Sequence, residues 1–200
     1  NGTKLRSTTG TWTDEVGGDG MDCAINPTNA SVLYGEYQFG GLNRSTNGGT
    51  SWTEIIPENG NASGAWISPI VVDPNNNQTI YFGTNRAVYK STNQGTAWSK
   101  ITSTLALAND VDHIAVAASN SNYIYFITGT NNVKEIYRSI NGGTSWTKMT
   151  TPISDRVSWL SINPTDPNLI YITYANYASG NKVYRSSNGG STWTNITGTL

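Results

Sequence analysis

The stretch NDVDHIAV, residues 109–116, sets Asp110 and Asp112 beside the chain's one histidine, His113. Two carboxylates and an imidazole so closely spaced are the materials of a proton relay or a metal site. With Asp22, Asp155 and Arg156 drawn in from neighbouring segments they would form a small acid–base cluster. Left alone they are solvated loop ends, as a single histidine more often is. Flat rings with a polar handle offer a second chemistry: Tyr37, Trp66, Trp159, Tyr174 and Tyr177 could stack on a sugar or a protein partner. The bland alternative for Trp66 and Trp159 is packing beneath their own loops. Arginine, the usual carboxylate clamp, is mostly committed elsewhere. Arg6, Arg44, Arg138 and Arg185 recur at one repeated position, with Lys90 in the same slot, which leaves Arg86 and Arg156.

The elements that must position these groups are written in repeats. RSTNGGTSW at 44–52 returns as KSTNQGTAW at 90–98, RSINGGTSW at 138–146 and RSSNGGSTW at 185–193, and a degraded copy, RSTTGTW, ends at Trp12. The tryptophans step by 40, 46, 48 and 47 residues, a period that marks a propeller or a solenoid. Ahead of each nonapeptide runs a second repeat: AINPTNASVLYGEY, VVDPNNNQTIYFGT, AVAASNSNYIYFIT and SINPTDPNLIYITY, with Tyr34, Tyr81, Tyr125 and Tyr171 at matching points. Three of these carry Asn or Asp before Pro, which starts a turn. Each unit reads as four short strands, with no helical period.

Four strands per unit make the blade of an all-β propeller, strand A innermost and strand D outermost. One partial propeller domain, 1–200, is therefore predicted: strands C and D of an incomplete blade over 1–16, then blades over 17–57, 62–103, 108–150 and 153–198. The nonapeptide joins strand C to strand D as a structural turn. Its serine, asparagine, glycine and tryptophan are Ser45, Asn47, Gly49 and Trp52; Ser91, Asn93, Gly95 and Trp98; Ser139, Asn141, Gly143 and Trp146; Ser186, Asn188, Gly190 and Trp193. The asparagine should fold back on the turn, the glycine should take a positive φ, and the tryptophan should bury itself between blades.

Composition narrows the function classes. Of 200 residues only 12% are charged and the net charge is -1, so there is no basic field for nucleic acid or anionic lipid. No apolar run reaches the roughly 18 residues that span a bilayer, and no secretory signal opens the sequence. The single cysteine, Cys23, aligns with Ile70, Ile114 and Leu160, and is expected to be a small buried hydrophobe. No cofactor and no bound metal are expected.

The nonapeptides resemble the Asp-box, or BNR, repeat, Ser-x-Asp-x-Gly-x-x-Trp, of sialidases, Vps10/sortilin domains, family 74 glycoside hydrolases and many secreted bacterial propellers. Asn replaces the usual Asp here, which keeps the acceptor oxygen and drops the charge. The resemblance implies that the turns lie opposite the active face, which is built by the D-to-A and B-to-C loops. A sialidase would need an arginine triad and an Arg-Ile-Pro motif, which the sequence lacks. In family 74 the catalytic base is an Asp before Gly-Gly, and LYGEYQFGGLNR is similar to that segment, but Gln38 stands at the Asp position with Glu36 two residues earlier. Glutamine cannot act as a base. The stretch GGDGMDCAINPTNASVLYGEYQFGGLNRSTNGG looks like large secreted propellers of bacteria that use type IX secretion, and NGTKL resembles the tail of a preceding blade, implying a piece of a larger ring.

The expected function is a non-catalytic secreted or cell-surface module that displays loops such as 35–43 and 173–183 to a glycan or a protein. The alternative is a xyloglucanase-like propeller whose catalytic acids lie largely outside this segment. Open strand edges call for partners, either further blades of the same protein or another chain.

Overall fold

The computed structural model describes residues 2–6, 9–177 and 179–199. Ser7 and Thr8 of the degraded nonapeptide, and Ala178 of the loop 173–183, lie outside the described residues.

Alternating apolar and polar residues between Gly- and Asn-rich turns fold into a β-propeller arc. A two-stranded sheet of β1 (Thr3–Arg6) and β2 (Trp12–Val16) comes first. Blade one is β3 (Gly20–Ile25), β4 (Leu33–Tyr37), β5 (Gly41–Ser45) and β6 (Thr53–Glu54), followed by a single turn, α1 (Pro57–Gly60). Blade two is β7 (Ile70–Val72), β8 (Ile80–Thr84), β9 (Ala87–Ser91) and β10 (Ser99–Lys100). Blade three is β11 (Val111–Val116), β12 (Ile124–Gly129), β13 (Lys134–Ser139) and β14 (Thr147–Lys148). Blade four is β15 (Val157–Ile162), β16 (Ile170–Tyr174), β17 (Val183–Ser186) and β18 (Thr194–Asn195). Each blade is an antiparallel meander, and the innermost strands β3, β7, β11 and β15 touch one another in chain order.

The cores lie between blades. The strand B tyrosine of each blade points into the next: Tyr34 packs with Ile70, Ile80 and Phe82, Tyr81 with Ile114, Ile124 and Phe126, and Tyr125 with Leu160, Ile170 and Ile172. Tyr34, Tyr81 and Tyr125 are fully buried, and desolvation raises all three phenols well above their ordinary range. The Asx turns form as expected, with Asn26 Oδ1 accepting from the Thr28 and Asn29 N–H groups and Asn163 Oδ1 from those of Thr165 and Asp166.

The four nonapeptides share one hydrogen-bond geometry. In blade two, buried Ser91 Oγ accepts the Gly95 N–H at 2.8 Å and donates to Asn93 Oδ1 at 2.8 Å, and that oxygen also accepts the Ala97 N–H at 2.8 Å. The same three bonds recur around Ser45, Ser139 and Ser186. Gly95 has φ 89°, and a Cβ there would stand 2.4 Å from Ile55 Cδ1 of blade one. Only glycine fits, by conformation and by space.

The turns of blades two, three and four are each tied twice to the preceding blade. The indole N–H of Trp98 donates to the Ile55 carbonyl at 2.7 Å, that of Trp146 to Ile101 at 2.8 Å and that of Trp193 to Thr150 at 2.9 Å. Trp52 reaches Glu15 Oε2 at 3.2 Å. In return the repeated cation reaches forward: Arg44 Nη1 donates to the Gln94 carbonyl at 2.7 Å, Lys90 Nζ to Gly142 at 3.4 Å, and Arg138 Nη1 to Gly189 at 2.6 Å.

Two expectations need correction. The nonapeptide tryptophans are half-buried and use the indole edge as well as the face, and Trp12 is 62% exposed, with no described strand in front of it. Cys23 is exposed, because β1 meets the inner strand β3 near Gly20 and leaves Cys23 and Ile25 further along it bare.

Replacing Ser91 by Ala should cost about 1–3 kcal/mol by orphaning a buried amide, and Trp98→Phe about 1 kcal/mol through the lost indole bond, both read by urea unfolding.

Candidate functional site

The inner strands of blades one, three and four each carry a bulge at their start, where register shifts between Gly20 and Cys23, between Val111 and His113, and between Val157 and Trp159. Successive side chains of a strand point to opposite faces of the sheet. This separates the cluster that sequence proximity suggests. Asp112 pairs with the buried Lys134 ammonium at 2.7 Å, and Lys134 also donates to the Gly129 carbonyl at 3.1 Å. His113 points the other way, toward blade four. Its Nε2 lies 2.8 Å from the Leu160 carbonyl, so that nitrogen carries the proton. Its ring meets Trp159 with centroids 4.1 Å apart. Burial pushes the imidazole down toward its neutral form, against the Leu160 carbonyl and the Asp22 charge.

Asp22 occupies the position of His113 two blades earlier and does an analogous job. Its Oδ2 accepts the Ile70 N–H of blade two at 3.1 Å, and Oδ1 accepts the Cys23 N–H at 2.8 Å. Asp155 is held by the Arg156 N–H at 2.6 Å and by Asn176 Nδ2 at 2.8 Å, and the first of these leads in lowering its pKa. No group of three or more metal-ligating side chains forms among the described residues.

Glu36 enters the sequence reading only as the acid two residues before Gln38, with no sign of its burial. Glu36 on β4 is completely buried between blades one and two, where Oε1 accepts the Ser68 N–H at 2.8 Å and Oε2 has no partner. Desolvation raises its pKa to about 8, with the Asp22 charge adding to the rise and the Ser68 N–H opposing it. The register supplies the missed signal, since the same strand position holds Gly83, Ile127 and Thr173 in the other blades. Gln38, at the position the resemblance gave to a catalytic base, accepts the Asp19 N–H at 2.8 Å.

The aromatic residues divide. Tyr174 is buried, edge-on to Tyr184 at 5.6 Å, with its hydroxyl donating to the Ile153 carbonyl at 3.3 Å. Tyr37 lies over Gly41, where a Cβ would come within 2.2 Å of its ring, and its hydroxyl is 3.4 Å from Glu54 Oε2. Trp66, Trp159 and Tyr177 are open to solvent at 52%, 58% and 107% relative exposure. Trp66 meets the equally exposed Phe39 edge-on at 5.1 Å, and Phe39 is held at φ 64° with its carbonyl accepting the Gly64 N–H at 2.9 Å. Loops thus present Phe39 with Trp66 at blades one and two, while His113 and Trp159 meet from the inner strands β11 and β15 of blades three and four.

With this geometry in view, the family model described as Sortilin, neurotensin receptor 3 matches residues 40–179. The chain belongs to the Sortilin-Vps10 family. This Sortilin-Vps10 chain is also similar to a xyloglucanase from Paenibacillus sp, with 33% identity over 46% of this chain and 11% of that protein. Among solved structures, an ancestral GH74 enzyme superposes with a TM-score of 0.69 at 26% identity, covering 90% of this chain and 24% of that one. The GH74 xyloglucanase of Xanthomonas campestris superposes equally, TM-score 0.69, at 18% identity over 88% of this chain and 29% of that one, which bears on the fold alone. The chain thus spans about a tenth of the curated relative it matches and under a third of either solved structure. No helix among the described residues is long and apolar enough to cross a membrane.

Glu36 gives a pH test. Its folded pKa is raised, so the native state binds more protons than the unfolded chain between the ordinary carboxylate range and about 8. Its contribution is therefore most favourable at acid pH and is lost as pH rises through about 8. Glu36→Gln, which keeps an acceptor for the Ser68 N–H, should raise the melting temperature at alkaline pH and flatten its pH dependence. A parallel shift of both profiles would contradict the burial argument.

Proposed function

We propose that this chain is part of a non-catalytic, extracellular or cell-surface propeller module that holds a glycan against the exposed rings of its B-to-C and D-to-A loop face. The observation that carries the reading is the pairing of open rings with committed carboxylates. Phe39, Trp66 and Trp159 stand in solvent, while Asp22, Asp112 and Asp155 are all engaged by amides or a cation, and Glu36 is sealed between blades. Sugar rings present apolar faces that stack on such aromatics. A hydrolase acting by the usual route needs two accessible carboxyls about 5 to 9.5 Å apart across the bond. The glutamine at position 38 fits the same reading, because an amide can hold a loop and cannot take a proton.

His113 and Trp159 act together here, the imidazole buttressing the indole from behind, with Tyr177 on the neighbouring loop extending the surface. Further blades of the same protein, or another chain, cover the bare inner strand at Cys23 and Ile25. The blades are assigned to residues 17–57, 62–103, 108–150 and 153–198 of one domain.

A second reading, a hydrolase whose acids lie mostly outside this segment, is favoured by the similarity to the Paenibacillus xyloglucanase. One assay separates the two. Xyloglucan oligosaccharide is titrated calorimetrically and reducing ends are followed in the same mixture. Binding without release of new ends is expected, and Trp66→Ala or Trp159→Ala should weaken binding about tenfold. Release of ends that disappears in Asp22→Asn would establish the enzyme instead.

A further inference from the structure

A cleft of about 820 Å³ lies between the outer strands of blades one and two, running from the turn 95–98 to the connection 55–69. The repeat architecture alone does not make it. Blades two and three connect to their successors through residues 101–110 and 149–156, whereas blade one uses the longer connection 55–69 with its turn α1. Within that turn Glu58 and Asn59 both hold left-handed angles, φ 57° and 55°. Backbone held in this way by non-glycine residues gathers where a surface is shaped for use. The Glu58 carboxylate is anchored by the Tyr89 hydroxyl, which fixes the wall.

The cleft continues into a second pocket of about 330 Å³ that shares Glu58, Tyr89 and Lys100 and runs up to the Asn85–Arg86 turn. An elongated ligand fits such a groove better than a compact one. Its chemistry is mixed and balanced: the carboxylates of Glu54 and Glu58 against the cations of Arg44 and Lys100, with the half-buried Trp98 indole beside them and the buried Tyr89 ring behind Glu58. Balanced charge disfavours an ionic ligand, and rings set among hydrogen-bond acceptors suit hydroxyl-rich rings. Strand addition by a peptide would need a longer free edge than the two residues of β6.

We infer that this rim groove is a binding site for a neutral, linear oligosaccharide, distinct from the exposed rings Phe39, Trp66 and Trp159, none of which lines it. Its volume lies within the range of small-molecule sites, about 300–1,000 Å³.

The test uses cellohexaose as probe and the chain carrying Trp66→Ala and Trp159→Ala, which removes the exposed indoles outside the groove. Calorimetry should still detect binding, insensitive to salt, and adding Glu54→Gln with Lys100→Ala should weaken it about tenfold or more. Both added positions are exposed, so far-UV circular dichroism and unfolding midpoints should remain those of the parent. Absence of binding in the double-indole variant overturns the rim site, as does binding that ignores Glu54 and Lys100. If the indole changes leave affinity intact while the rim changes abolish it, the rim site stands and the loop-face reading falls.

Discussion

A serine hydroxyl turned inward on its own turn holds this structure together. Ser45, Ser91, Ser139 and Ser186 are each about 1% exposed, and each receives a glycine amide and returns its proton to an asparagine oxygen. A turn at the end of two short strands would otherwise leave its amides to water and its conformation loose. Once closed, the turn aims its tryptophan at the carbonyls just beyond the preceding blade's last strand. It also offers its own carbonyls to the preceding blade's arginine or lysine. The outermost strands are only two residues long and could not hold their place alone. The blades are thus joined at the rim by polar bonds and between strands A and B by tyrosine-centred cores.

The inner edge is joined by different means. Asp22 grips an amide of blade two, and His113 grips a carbonyl of blade four, from equivalent bulged positions. The position is therefore a clasp whose residue type varies with what it must reach: an acceptor where the neighbour offers N–H, a donor where it offers C=O. Glu36 takes this further, bringing a carboxyl into the seam between blades one and two at the cost of desolvation. Of the residues that look most like catalytic groups in the sequence, Asp22, His113 and Glu36 thus hold neighbouring blades together, and Asp112 is paired within its own.

Much of this was legible in the residues. The recurrence of the nonapeptide and of the tyrosine repeat located strands, turns and the blade plan, because those features are local and repeated four times. The assignment of Arg44, Lys90 and Arg138 to a shared structural slot was also correct, although the carbonyl each one reaches belongs to another blade and lies about fifty residues away. What could not be read was non-local. Asp112 is drawn to Lys134 of its own blade and His113 to the Leu160 carbonyl of blade four although they are adjacent in sequence, and burial at Glu36 depends on how blade two closes over blade one. Cys23 followed its repeat in sequence but not in exposure, since burial there requires a surface that the described residues do not supply. Of the aromatic residues proposed for recognition, Tyr174 turned inward to Tyr184, while Trp66, Trp159 and Tyr177 stayed outside.

The division of labour, rigid turns on one side and irregular loops on the other, is most directly tested by amide hydrogen exchange at the nonapeptide glycines. The N–H groups of Gly143 and Gly190 should exchange as slowly as those of the strand B residues Tyr81 and Phe126, and should be unchanged by glycan. Exchange as fast as that of the exposed loop residue Gly180, or protection appearing only when a ligand is added, would mean that these turns are not latches and that the account is wrong.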